Sequence, residues 1–302
     1  MIHGILNVRK EKGFTSHDVV AKLRGMTRQK KIGHTGTLDP DAEGVLPVCL
    51  GKATRLCEMM TDKEKAYEAV MVLGKETDTQ DLSGTVLDTS ATGHLTEEEV
   101  QEAILSFVGI YDQIPPMYSA VKVGGKKLYE LAREGKEIER KARRVEIRSI
   151  RILEMRLPEV RFEVVCSKGT YIRTLCHDIG RKLGCGACMG DLLRTKSGNF
   201  TLDQSRTLSE IQEYLDGGRI GEILVPIDAM FPDAPKVSVK QGKEKTVYNG
   251  NALSPDQIED HIPEKDGETI RVYGPDGRFL ALYRYAGREK KYQVEKMFYS
   301  PE

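Results

Sequence analysis

Apolar positions along this chain change period several times, and each change marks an element. In SHDVVAKLRGM, residues 16–26, Val19, Val20 and Leu23 recur at helical spacing behind Ser16, a residue suited to an N-cap. Residues 66–73, AYEAVMVL, predict a mostly buried strand that runs into the polar loop LGKETDTQDLSG. Thr96-Glu97-Glu98-Glu99 has the capping-box pattern for a helix reaching Phe107 or Val108, with Gly109 as its stop. RFEVVC, residues 161–166, predicts another strand. A turn at Ser167-Lys168-Gly169 follows, then a helix over TYIRTLCHDIGRKL that Gly184 ends. LSEIQEYLDGG predicts a further short helix.

Two stretches break this rhythm. IPPMYSAVKVGGKKLYELAREGKEIE combines a proline pair, a glycine pair and a short basic amphipathic run, which predicts an excursion from the core. Past Ile227-Asp228 short strands alternate with turns, and Pro275-Asp276-Gly277 sets a hairpin. A boundary near Phe231 divides the chain into a larger mixed α/β domain, 1–231, and a small all-β domain, 232–302.

Composition narrows the class. No apolar run approaches the ~18 residues of a membrane span. The opening MIHGILNVRKEKGF lacks a signal peptide's apolar segment, so a cytoplasmic protein away from membranes is expected. Six cysteines in 302 residues are too sparse for a disulfide scaffold, and Cys185-Gly186-Ala187-Cys188 is a lone pair reading as a loop. Formal net charge is zero, yet charge is segregated. Residues 1–31 carry eight bases against two acids, 76–103 eight carboxylates and no Lys or Arg, and 122–156 twelve bases against six acids. Such a chain can turn a cationic face to a polyanion while staying neutral overall; solvated helix faces are the plainer reading.

The densest chemistry lies in residues 31–55, KIGHTGTLDPDAEGVLPVCLGKATR. Gly33 and Gly36 flank His34 and Thr35. Pro40 biases Asp39 toward an extended backbone, and GVLPVCLG anchors the loop to the core. A polar loop pinned this way suits a preorganised catalytic carboxylate. It also suits an ordinary Asx-type turn, and His34, Asp39, Asp41 and Glu43 are metal-ligand types. No HExxH or paired CxxC supports the metal, so none is expected.

This segment resembles the signature of the TruB family of tRNA pseudouridine synthases. NVRKEKGFTSHDVVAKLR, KAYEAVMVLGKETDTQDLSG, IPPMYSAVKVGGKKLYELAREG and CSKGTYIRTLCHDIGRKLG resemble further family motifs in the same order, together covering most of residues 5–200. The resemblance implies an α/β (α+β) fold: a mixed, largely antiparallel sheet with flanking helices, the pseudouridine synthase fold. It also implies a small PUA-like RNA-binding domain at the C-terminus and an RNA-binding insertion over about residues 113–144. It implies isomerisation of a T-loop uridine in tRNA, without a cofactor, by a monomer needing no obligate protein partner.

Carried over by position, Asp39 corresponds to the family's essential aspartate and Arg173 to the arginine that pairs with it. Tyr67 corresponds to the tyrosine that stacks on the flipped uracil, Tyr171 to a second pocket aromatic, and His34 to a histidine bearing on the T-loop base stack. Read alone, Arg173 is a helix surface residue, Tyr67 a strand core residue and His34 a hydrogen-bonded loop histidine. Lys10, Lys12, Arg28, Lys30 and Lys31 are assigned to phosphate contacts, as are Lys122, Lys126 and Lys127 in the insertion. Leu192-Leu193-Arg194-Thr195 departs from the family's usual Leu-Arg-Arg-Thr and loses one cation. Two rivals remain: a T-arm RNA-folding module without useful catalysis, and the catalytic subunit of a guide-RNA-directed pseudouridylase.

Overall fold

The computed structural model describes residues 1–260 and 265–299. From the N-terminus, β1 (Gly4–Lys10) leads to α1 (Ser16–Thr27), β2 (Ile32–His34), β3 (Glu43–Leu50), α2 (Cys57–Thr61) and β4 (Lys65–Leu73). A small hairpin of β5 (Lys75–Thr77) and β6 (Val86–Thr89) precedes α3 (Glu97–Leu105) and β7 (Gly109–Gln113). Next come β8 (Lys122–Val123), β9 (Lys126–Lys127), α4 (Leu128–Arg133), β10 (Arg143–Arg156), β11 (Glu159–Cys166) and α5 (Ile172–Lys182). The first unit closes with β12 (Ala187–Ser197), β13 (Phe200–Thr201), α6 (Leu208–Asp216) and β14 (Leu224–Val225). β15 (Lys236–Ser238), α7 (Glu244–Tyr248), β16 (Thr269–Tyr273), β17 (Phe279–Ala286) and β18 (Lys291–Met297) follow.

The large sheet runs β14-β1-β3-β12-β4-β11-β10-β7, with β2 added to β3 and β13 to β12. Its pairings are antiparallel except β3 with β12, where Glu43 meets Leu193 and Gly44 meets Arg194. This mixed, mainly antiparallel sheet with helices against it is the fold expected from the sequence. Helices α3 and α5 cover β4, β10, β11 and β12 over a core built on Met71, Phe162, Val164, Leu175 and Ile179. Helices α1 and α6 cover β1 and β3 over Leu6, Val8, Leu23, Val48 and Ile211.

Local chemistry explains the element ends, with two differences from expectation. Thr15, not Ser16, caps α1: its side chain accepts from Asp18 N–H and Asp18 returns the bond, a complete capping box. Ser16 is displaced one position inward and becomes a buried tether, described below. Helix α3 has the expected Thr96–Glu99 box but stops at Leu105, two or three residues early, and Ser106 at its C-cap donates its hydroxyl back to Ala103 O. The excursion lies where the sequence puts it. Gln113 and Arg143 are paired neighbours on β7 and β10, and the chain between them leaves the sheet and returns.

The second unit is a sheet ordered β15-β16-β17-β18 over its own core of Val237, Val272, Leu280 and Tyr283. A shared apolar cluster joins it to the first unit: Ile5, Val45, Cys49 and Phe200 pack with Leu282 and Phe298. Arg55, in the 3-10 turn Gly51–Leu56 that follows β3, donates to the carbonyls of Met297 and Tyr299. Phe298 is 1% exposed and at the centre of this seam. Phe298→Ala is expected to destabilise the protein by about 3–5 kcal/mol, read as a lowered denaturant midpoint.

Candidate active site

The loop between β2 and β3, residues 35–42, is held almost entirely through its backbone. Thr35 N–H donates to Pro47 O at 3.2 Å, Leu38 N–H to Ser16 Oγ at 2.9 Å, and Gly13 N–H to Pro40 O at 3.0 Å. Leu38 and Ala42 anchor it in the core at 4% and 2% exposure. Two buried cations then grip it from either side. Lys10 Nζ donates to Glu11 O (3.0 Å), Pro40 O (3.0 Å) and Ala42 O (2.6 Å), which uses all three ammonium protons. Arg194, 1% exposed, donates from Nε to Val45 O (2.6 Å), from Nη2 to Gly36 O (3.3 Å) and from Nη1 to Thr37 O (3.5 Å). Gly44, at φ +114°, is what lets β12 come this near: a Cβ there would stand 2.2 Å from Arg194 O.

So fixed, the loop aims Asp39 at Arg173. Arg173 Nε stands 3.0 Å from Asp39 Oδ2 and Nη2 donates to Oδ1 at 3.3 Å, a two-point pair. Arg173 is buried in the first turn of α5, with Nη1 donating to Thr79 O (3.0 Å) and facing Asp81 Oδ2 (3.5 Å). Nη2 also donates to Tyr118 O at 2.9 Å. All four Nη protons therefore have acceptors and Nε lies in ion-pair contact with Asp39, the partners being drawn from three separate segments. Asp81 is itself built in: its Oδ1 accepts from Thr79 Oγ1 and Ser83 Oγ, both at 2.6 Å. Burial pushes the Asp39 carboxyl above the usual aspartate range, Arg173 works against that, and Asp81 adds to it. The Asp39 side chain keeps 38% exposure while that of Arg173 has 5%, so the carboxylate is the member of the pair a ligand can reach.

Aromatic side chains line the same junction. Tyr67 on β4 lies opposite Arg194 on β12 and is 7% exposed. Burial raises its phenol pKa and the nearby Arg194 charge opposes the rise, so the hydroxyl is protonated near neutral pH. Tyr171 precedes α5 and is half-buried, and burial raises its phenol pKa. His34 ends β2, meets the His17 ring edge-on at 5.7 Å, and accepts from Gly36 N–H at Nδ1 (3.3 Å). Burial lowers its pKa, which leaves a neutral ring with its proton on Nε2.

The assigned phosphate contacts divide. Lys10 has no exposed surface and no spare proton, so the structure overturns a phosphate role for it; it is a clamp on the Asp39 loop. Burial pulls its pKa down to about 8, and it stays charged at neutral pH. Lys12, Arg28, Lys30, Lys31, Lys122 and Lys126 are exposed and Lys127 half-buried. Lys12 pairs with Asp191 at 2.6 Å, Lys126 with Glu134 at 3.1 Å, and Lys127 lies over the Tyr129 ring. Sequence reasoning missed Asp81, Arg194 and Ser16. The signal for Lys10 was present: on β1 it shares a face with the core residues Leu6 and Val8, whereas Arg9 points out.

Residues 24–172 match the TruB family pseudouridylate synthase N-terminal domain, and residues 173–231 match the tRNA pseudouridylate synthase B C-terminal domain. The chain is 51% identical over 310 residues to tRNA pseudouridine synthase B of Lachnoclostridium phytofermentans, across 98% of this chain and 100% of that protein. It is 46% identical to tRNA pseudouridine synthase B of Bacillus pumilus, across 94% and 93%. Among solved structures it resembles a chain of a Cbf5-Nop10-Gar1 complex (TM-score 0.72, 31% identity, 98% of this chain and 85% of that one). A chain of an H/ACA RNP bound to a substrate RNA containing 2'-deoxyuridine is similar at TM-score 0.71 and 28% identity, across 99% and 86%.

Replacing Lys10 with Met strands three carbonyls. Lys10→Met is expected to lower stability by about 1–3 kcal/mol. It should also speed hydrogen exchange selectively at the Gly13, Leu38 and Ala42 amides, measured against an unchanged far strand such as β11.

Proposed function

Because this chain belongs to the TruB family of pseudouridylate synthases, we propose that Asp39 is the group through which it acts and that a T-loop uridine is what it acts on. The chain isomerises uridine to pseudouridine in tRNA. That reaction breaks the C1′–N1 bond, joins C1′ to C5 of the same base, and moves one proton from C5 while N1 gains one. Nothing external is consumed. It needs an ionised oxygen at the sugar–base junction and a site that holds the detached base in place.

The observation that carries this reading is the half-open Asp39 carboxylate paired with a buried Arg173 that is itself held by the Thr79 and Tyr118 carbonyls. The arginine keeps the carboxylate ionised and aimed while leaving its outer face to the ribose. A uridine inside the T-loop must leave its stack to reach Asp39, and Tyr67 and Tyr171 would offer replacement stacking of about 1–3 kcal/mol per base. His34, neutral and half-buried beside the loop, would face the bases that remain. The exposed cations at 28–31 and in the insertion would take the phosphates, with the insertion closing on the arm.

A carboxylate facing a polyanion opposes affinity, which speaks against a pure RNA-folding module. Identities of 42–51% to proteins named tRNA pseudouridine synthase B, against 28–31% to chains of the H/ACA RNP and Cbf5-Nop10-Gar1 complexes, favour a stand-alone enzyme. We place its domain division near residue 231, the second domain being PUA-like, and read the protein as a cytoplasmic monomer. Among the described residues no helix is long and apolar enough to cross a membrane.

Release of tritium from C5 of a labelled T-arm RNA tests the assignment. Wild type is expected to turn over with or without a chelator, and Asp39→Asn to lose turnover while binding RNA within about threefold, since Asn keeps shape and loses charge. RNA affinity should fall steeply as salt rises. Turnover should also fall on acidification as Asp39 protonates, with a midpoint above the ordinary aspartate value, because its pKa is raised. Arg173→Gln removes the opposing cation and should move that midpoint higher still; an unmoved midpoint would detach Arg173 from the ionisation of Asp39.

A further inference from the structure

We propose that Gln113 is a positioning residue for this reaction, acting on Asp39 through Tyr171 and Arg173; the proposal rests on the reading of that pair given above. Gln113 is the last residue of β7 and is 1% exposed. Its carboxamide makes two long-range bonds to one residue's backbone: Oε1 accepts from Tyr171 N–H at 2.8 Å and Nε2 donates to Tyr171 O at 3.0 Å. This is the pattern of a hydrogen-bonded residue pair in an antiparallel ladder, made here by a side chain.

Tyr171 needs such a partner. It is the N-cap of α5, at φ −97° and ψ 111°, and no side chain caps the helix there. Its carbonyl also accepts the first intrahelical bond, from Leu175 N–H at 3.1 Å. Gln113 therefore sets where the first turn of α5 begins, and Arg173 lies two residues further on. The amide is held in turn: Nε2 also reaches Tyr111 Oη, and the Tyr111 ring packs edge-on against Phe107 at 5.4 Å. Only a side chain of this length with one donor and one acceptor meets both demands. An ionised Glu lacks the donor, and an apolar side chain leaves a buried N–H and C=O without their partner.

The residue also roots the excursion. Just past the Pro115-Pro116 pair the same segment supplies Tyr118 O to Arg173 Nη2. Arg173 is thus referred to this segment twice, at its backbone through Gln113 and at its guanidinium through Tyr118. A shift of α5 of about 1 Å would carry Arg173 out of its two-point pair, a displacement able to cost roughly 100-fold in rate.

Gln113→Met, which keeps the bulk and loses both bonds, and Gln113→Glu, which keeps an acceptor, separate this role from a merely structural one. Each is compared with wild type in single-turnover pseudouridine formation, RNA binding and thermal melting, with Asp39→Asn as the reference for a disabled site. The Met variant is expected to lose about 10- to 100-fold in rate with RNA affinity within about threefold, and the Glu variant to fall between it and wild type. If the Met variant fails to fold, the rate loss of the Glu variant decides alone. Rates within about twofold of wild type beside a lowered melting temperature, or a loss confined to RNA affinity, would overturn the proposal. Full turnover by Asp39→Asn would instead overturn the site reading beneath it.

Discussion

Everything at the centre of this molecule turns on the guanidinium of Arg173, which is buried and has an acceptor for each Nη proton. Burying a charge is tolerable only when it is paired and hydrogen-bonded throughout, and here the acceptors come from the Asp39 loop, the turn before β6 and the excursion after β7. One side chain thereby fixes the mutual placement of three segments that share no secondary structure. Removing any acceptor leaves a desolvated proton behind, so the cluster is all-or-none in character.

The same logic is repeated around the Asp39 loop with Lys10 and Arg194. Neither makes an ion pair with the carboxylate; each solvates backbone carbonyls that a tight loop would otherwise leave bare. The Lys10 charge still favours an anion in the loop at a distance and opposes the rise of the Asp39 pKa. The loop is thus rigid because of groups that also suit it electrostatically to its carboxylate.

Much of this was legible beforehand. The strand at residues 66–73, the Thr96 box, the Gly184 stop and the turn at Pro275-Asp276-Gly277 all follow local rules, and the structure keeps them. Asp39 and Arg173 were legible only through ordered motifs, because nothing local says that a loop aspartate meets a helix arginine 134 positions away. Arg194 and Gln113 were not legible. A cation in LLRTKS and an amide in YDQIPP read as surface residues until tertiary contacts bury them, and burial of a polar residue depends on partners distant in sequence. Ser16 was misread by one position, since Thr15 and Ser16 both suit a cap and only Thr15 has its acid three residues on.

The excursion after β7 leaves and re-enters the sheet at two paired residues, Gln113 and Arg143. Its endpoints are therefore set by the sheet ladder and not by its own content. Closing such a loop costs an entropy that grows only with the logarithm of its length, about 0.6 kcal/mol per doubling. Evolution can consequently lengthen, shorten or exchange the segment as a cassette with little penalty to the scaffold, provided that the stem glutamine and one carbonyl facing Arg173 are retained. Change in the length and content of the excursion is in this way uncoupled from preservation of the sheet that carries it.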